Sequence, residues 1–184
     1  METPKITILE GAVRSGKTFL NNLLFYSEVR KHTGAGYHYI ITGHTVSSIK
    51  RNVLEPLSEQ FDKDTKISSD GSFTLSGNTV HCFGADKAHS YKTMTGMTAH
   101  GWYGNEVTLQ HPNTITEAFN RCSGEDARIF WDTNPDYPEH PIKINYVDKS
   151  GELLSNEQLW IKSWHFELDD NPFLPAEYVE NIKR

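Results

Sequence analysis

Apolar and polar positions along this chain alternate with two periods, and the changes of period mark its elements. Lys5-Ile6-Thr7-Ile8-Leu9-Glu10 is a short apolar run that predicts a buried strand, and Phe19-Leu20-Asn21-Asn22-Leu23-Leu24-Phe25 opens an apolar-periodic helix running to about Lys31-His32. Thr33-Gly34-Ala35-Gly36 reads as a loop and Tyr37-His38-Tyr39-Ile40-Ile41-Thr42 as a second strand. From Val46 to Phe61 the apolar residues Ile49, Val53, Leu54, Leu57 and Phe61 keep a helical spacing, with Pro56 as a candidate kink. Lys66-Ile67-Ser68, Phe73-Thr74-Leu75 and Thr79-Val80-His81-Cys82-Phe83 predict short antiparallel strands, an insertion over about 64–85. The turns between them, Ser69-Asp70-Gly71 and Ser76-Gly77-Asn78, have good hairpin chemistry.

Beyond this, Gly101 to Glu106 predicts a strand ending in an acid, Asn113 to Cys122 a helix, and Ala127 to Asn134 a strand that stops at Pro135. Pro141 to Val147 predicts a short helix and Leu159 to Phe166 a half-buried strand. Pro175 to Arg184 predicts an amphipathic helix, and residues from about 150 to 184 are read as the approach to a linker or C-terminal subdomain. Strands alternating with helices imply an α/β fold, a mostly parallel sheet flanked by helices with a small antiparallel β insertion. The 184 residues supply one core, so 1–184 is read as a single domain.

The strongest chemical signal lies between the first strand and the first helix. Gly11-Ala12-Val13-Arg14-Ser15-Gly16-Lys17-Thr18 spells the phosphate-binding pattern G-x-x-x-x-G-K-T, which makes the expected fold that of a P-loop NTPase. Gly11 and Gly16 permit a tight turn whose N–H groups face an anion. Lys17 places a compact charge on the β- and γ-phosphates of ATP, and the Thr18 hydroxyl is a ligand for Mg²⁺. The helix N-terminus adds partial positive charge.

Binding alone does not hydrolyse. An acid must hold the metal shell and another must polarise water, and both normally end a neighbouring strand. Asn105-Glu106 holds that place: Glu106 is the candidate general base, and Asn105 stands where an Asp would hold the metal. An amide keeps an oxygen acceptor without the charge, so weaker metal binding is expected, and an Asp introduced at 105 is expected to raise turnover if the amide limits it. The alternative is an exposed turn after Gly104. Thr133 and Asn134 can touch the γ-phosphate or the lytic water, Asp132 could instead serve the metal, and the competing reading is a turn around Asn134-Pro135. Arg14 inside the loop can act as an arginine finger in cis, reach a neighbouring subunit, or simply form a surface salt bridge.

Charge and composition narrow the alternatives. The net charge of −6 argues against a chain that grips nucleic acid by bulk attraction, though not against brief contact through a few basic residues. No apolar run is long enough to span a membrane and no signal peptide is apparent, so a cytoplasmic protein with no membrane partner is expected. Cys82 and Cys122 lack C-x-x-C spacing and the nine histidines form no zinc pattern, so two buried thiols and no zinc site are expected.

Taken together, Gly11–Thr18, Gly101-Trp102-Tyr103-Gly104-Asn105-Glu106-Val107-Thr108, Asp132-Thr133-Asn134-Pro135 and Leu168-Asp169-Asp170-Asn171-Pro172-Phe173-Leu174 resemble, in order and spacing, the N-terminal ATPase domain of tailed-phage large terminase subunits. The resemblance implies a P-loop ATPase of the ASCE type that hydrolyses ATP with Mg²⁺ and couples the cycle to drawing double-stranded DNA into a procapsid. It also implies a homo-oligomeric ring working in the host cytoplasm, with portal protein and small terminase subunit as partners and double-stranded DNA as a transient one. By carry-over the segment Gly11, Ala12, Val13, Arg14, Ser15, Gly16, Lys17 and Thr18 binds nucleotide, Thr18 and Asn105 serve the metal, and Glu106 is the catalytic carboxylate. Arg14 is the candidate finger, and Thr133-Asn134 couples hydrolysis to movement. Lys50, Arg51, Lys87 and Lys92 are basic residues a ring could turn to DNA. The family's C-terminal nuclease domain has no counterpart in these residues, so this chain is expected not to cut DNA alone, whether it is an isolated domain, a truncated prophage copy or half of a split gene.

Overall fold

The computed structural model describes residues 3–135 and 137–183. Seven strands, β1 (Ile6–Gly11), β2 (His38–Gly43), β3 (Ser72–Leu75), β4 (Asn78–Gly84), β5 (Gly101–Gly104), β6 (Arg128–Thr133) and β7 (Ile161–Phe166), form one sheet in the order β3-β4-β2-β5-β6-β1-β7. Every pairing is parallel except the β3–β4 hairpin. The helices are α1 (Lys17–Lys31), α2 (Val46–Ile49), α3 (Glu55–Phe61), α4 (Pro112–Arg121), α5 (Pro141–Asn145) and α6 (Ala176–Lys183).

The central strands are apolar on both faces because helices cover both sides, the usual state of a parallel sheet. Alternation then sorts residues between two cores. On one side Tyr39, Ile41, Tyr103 and Phe130 pack with Phe25 and Val29 of α1 and with Ile49 and Leu57. On the other, Ile6, Ile8, Ile40, Trp102, Ile129 and Trp131 pack against Ile115 and Ala118 of α4. Trp102 and Trp131 meet edge to face at 5.1 Å, so these two tryptophans are core residues.

Three local expectations change. The antiparallel pairing over 64–85 exists, but β4 also pairs in parallel with β2, so the hairpin extends the main sheet rather than standing apart from it. Lys66-Ile67-Ser68 forms no strand: Lys66 N donates to Asp64 Oδ1 at 2.9 Å, Ser68 N donates to Ser72 O at 2.8 Å and Ser68 O accepts from Gly71 N at 3.1 Å, so local turn bonds take the groups a ladder would use. Within 150–184, β7 is the seventh strand on β1; only α6 buries none of its described residues. Arg184, the expected end of that helix, lies outside the described residues.

Pro56 does mark an irregularity, though of a particular kind. Between α2 and α3 the chain runs as a π-helical stretch over Lys50–Leu54. A proline cannot donate to the carbonyl four residues back and its ring crowds that group, and a wider turn relieves both.

Both thiols are pushed up to about 12 by burial. Little thiolate exists at neutral pH, so neither Cys82 nor Cys122 is expected to react with Ellman's reagent in the native protein, and both should react promptly in denaturant. Thiol release followed by absorbance checks this. Among the described residues no helix is long and apolar enough to cross a membrane.

Candidate nucleotide site

Parallel strands end on the same edge, so β1, β5 and β6 deliver Gly11, Gly104 and Thr133 to one place. The loop from Gly11 to α1 sits there. Gly11 has φ +125°, and a Cβ at this position would lie 2.1 Å from Phe166 O of the neighbouring strand. Gly16 has φ +92° and precedes α1, whose first turn has no acidic residue and no side-chain cap, leaving N–H groups free to face an anion.

Lys17 is buried, and its Nζ donates to Gly11 O at 2.8 Å, to Ala12 O, and to Ser15 Oγ at 3.3 Å. The loop therefore holds its own lysine through neutral acceptors. Burial lowers the Lys17 pKa, with Asp132, Glu10 and Glu106 opposing the shift. Phosphate oxygens are far stronger partners for this ammonium than two carbonyls.

Opposite the loop, Asn105 N still donates to Thr42 O at 2.8 Å, after which the chain breaks from β5 and Glu106 takes the left-handed conformation at φ +50°. This is an uncommon state for a glutamate, and such strain persists only where something holds it. Asp132 does so: its Oδ1 accepts from Glu106 N at 2.8 Å. The same carboxylate accepts from Asn105 Nδ2 at 3.0 and 3.2 Å, from Tyr103 OH at 3.1 Å and from Asn21 Nδ2 at 3.5 Å. Burial raises the Asp132 pKa, and the hydrogen bonds from Glu106, Asn105 and Tyr103 and the Lys17 charge pull it back. The Glu106 pKa is also raised, by desolvation first and by the Asp132 charge second.

These groups enclose a cavity of about 330 Å³ lined by Val13, Arg14, Lys17, Thr18, Asn105, Glu106, Asp132, Thr133 and Asn134, together with Arg51, Asn52 and Pro56. A second concavity, of about 480 Å³, lies on the β7 side of the same loop, and Asn134 borders both. The structure thus gathers every residue singled out for the metal, the base and the coupling element around the phosphate loop. Arg14 is exposed, with φ +63°; its guanidinium lies over the Tyr178 ring at 5.2 Å, and its carbonyl accepts from Asn171 Nδ2 at 2.7 Å. The Asp-Asn-Pro segment therefore touches the loop directly.

Sequence reasoning missed Arg51 and Asn52 as site residues. They arrive from the π-helical stretch, where Asn52 Nδ2 donates to Glu106 Oε2 at 3.4 Å and Arg51 Nε to Asn52 Oδ1 at 3.2 Å. The only local signal was Pro56, since widened turns concentrate at functional sites. Arg51, one of the basic residues a ring could turn to DNA, also lines this cavity.

The acceptors suit Mg²⁺. The cavity offers the Thr18 and Thr133 hydroxyls and the Asn105 amide oxygen, all hard oxygen donors, while the Asp132 oxygens are already taken by Tyr103, Asn105, Glu106 and Asn21. Asn105 Oδ1 and Thr133 Oγ1 are buried and have no protein partner, the condition expected of atoms awaiting a ligand. No cluster of three or more His, Cys, Asp or Glu able to hold a metal occurs among the described residues.

No protein-family model matches the chain, and no curated protein does. Solved structures do. The large terminase of a thermophilic bacteriophage matches with a TM-score of 0.84 at 26% identity, over 98% of this chain and 45% of that one. The same terminase in complex with ADP matches with a TM-score of 0.82 at 26% identity, over 98% and 44%. The large terminase ATPase domain of Thermus phage P74-26 shares the fold at 12% identity, with a TM-score of 0.67 over 97% of this chain and 86% of that domain. This chain spans less than half the length of the first of these. Its fold is that of the phage large-terminase ATPase domains, as the resemblance in sequence led one to expect.

Proposed function

We propose that this chain, which shares the fold of phage large-terminase ATPase domains, is the motor domain of a DNA-packaging terminase, binding ATP with Mg²⁺ and hydrolysing it to move double-stranded DNA into a procapsid. The observation that carries the reading is the convergence of Lys17, Thr18, Asn105, Glu106, Asp132 and Thr133 on one cavity at the carboxyl ends of parallel strands. The match to an ADP-bound terminase supports it.

In this reading the loop N–H groups and Lys17 hold the phosphates. Thr18 and Asn105 would hold the metal, which would supply charge neutralisation when bound. The Glu106 carboxylate accepts a proton from the attacking water at the cavity mouth, where its strained backbone and the Asp132 anchor keep it directed. Thr133 and Asn134 border the γ-phosphate position, and Arg14 supplies positive charge there in cis or across a subunit boundary. Release of the Arg14 carbonyl from Asn171 would pass a change in the loop to the C-terminal segment. Ring assembly, portal and small-subunit contacts and the host cytoplasm belong to the same reading. DNA cleavage is not assigned to these residues.

The experiment is steady-state ATP hydrolysis with Mg²⁺, with and without double-stranded DNA, for wild type and Lys17→Ala. Turnover stimulated by DNA and abolished in the variant is expected, with nucleotide affinity falling by about a hundredfold, as befits loss of a charge on phosphate. Tight binding with no turnover under any condition would favour a second reading, a nucleotide-gated binding module, which the amide at position 105 supports.

A further inference from the structure

Asn105 is a position where this site departs from the usual chemistry, and its surroundings show how the departure is accommodated. Asp132 is 2% exposed, and donors from Tyr103, Asn105, Glu106 and Asn21 all point at it. An ionised carboxylate can only accept, so the Asn105 amide must turn its NH₂ toward Asp132. It bonds both carboxylate oxygens, at 3.0 and 3.2 Å. The amide oxygen is thereby turned away, and it is the atom left buried without a partner in a residue that lines the cavity beside Thr18.

We infer, on the footing of the nucleotide site proposed above, that Asp132 is a positioning residue which orients and polarises the Asn105 amide toward the metal shell, so that an Asn–Asp pair spanning β5 and β6 replaces the single carboxylate usual at the end of that strand. An amide that donates to a carboxylate is polarised, and its oxygen becomes a better acceptor for a metal-bound water. The negative charge is retained in the site; it has moved to the adjacent strand. This reverses the expectation for Asn105→Asp. A carboxylate introduced at 105 would stand about 3 Å from the Asp132 oxygens, with both charges buried. Only a reciprocal exchange keeps one donor and one carboxylate in the pair.

The test is titration of the full chain with a fluorescent N-methylanthraniloyl ADP, in EDTA and in Mg²⁺, with thermal melts alongside. The readout is the tightening that Mg²⁺ confers, which a merely structural role for Asp132 would not move. Asp132→Asn should lose about tenfold or more of that tightening, the size seen when outer partners of metal ligands are removed. Each variant's own affinity in EDTA is the reference against which its Mg²⁺ tightening is read. Asn105→Asp alone should lower the thermal midpoint in EDTA. The double variant Asn105→Asp with Asp132→Asn should regain both the midpoint and the Mg²⁺ tightening. Full tightening in Asp132→Asn, or a folded double variant that fails to regain it, would overturn the pairing. A wild type that binds no nucleotide in either condition would overturn the nucleotide reading and the pair with it.

Discussion

Gly11→Ala is expected to abolish nucleotide binding and to lower the thermal midpoint by on the order of 10 °C. Two costs combine. The residue sits at φ +125°, a conformation that L side chains rarely adopt, and its new methyl would lie 2.1 Å from Phe166 O and 2.9 Å from Phe166 N. That backbone cannot easily retreat, because Phe166 closes the β1–β7 ladder and its carbonyl accepts from Ala12 N at 2.9 Å. Backbone strain and a buried clash together place the loss at about 4 kcal/mol. In a domain of this size that corresponds to the shift stated. The effect on function is separate, since the Gly11 carbonyl is one of the acceptors that hold Lys17. A thermal melt and a nucleotide titration on the same sample check both; a midpoint within about 2 °C of wild type would show that the loop has room the structure denies it.

Glu106→Gln is expected to reduce ATP turnover by about a thousandfold, the range for removal of a general base. Nucleotide affinity should change little, because the glutamine keeps the size of the side chain and the Glu106 backbone N–H that anchors the turn on Asp132 is untouched. Phosphate release against time and a nucleotide titration separate the two. Activity should also depend on pH in a definite direction. The base must be ionised, and its pKa is raised above the ordinary 4.5 by desolvation and by the Asp132 charge. The acid limb of the kcat/KM profile therefore lies above pH 4.5, with activity falling as pH drops through it. An alkaline limb from Lys17, whose pKa burial lowers from 10.5, bounds the profile on the other side. The acid limb should vanish from whatever residual rate Glu106→Gln retains, and its survival would assign the base elsewhere.

Much of the architecture was legible in the residues. The loop pattern from Gly11 to Thr18 located the site, and the strands ending in Asn105-Glu106 and Asp132-Thr133-Asn134 were found, with side chains that the fold does bring together. Short-range rules suffice there, because alternation, capping and glycine conformation are properties of neighbouring residues. What the residues in order leave open is pairing at long range. Whether β4 belongs to an insertion or to the sheet depends on β2, far back along the chain, and β7 joins β1 across most of its length. No local pattern carries that information.

The phosphate loop, the order of strands and helices, and the presence of an amide where a metal-binding acid is usual can all be read from the residues in order. What that amide means cannot, because its meaning depends on how the chain folds back on itself. Folding brings Arg51 and Asn52 into the site through a widened helical turn. It also sets Asp132 on a parallel neighbour of β5, twenty-seven residues from Asn105 yet 3.0 Å away. A side chain's chemistry depends on the groups that solvate it. In a buried site those groups are brought by other strands, so charge and hydrogen bonding there are properties of the fold and not of the local sequence.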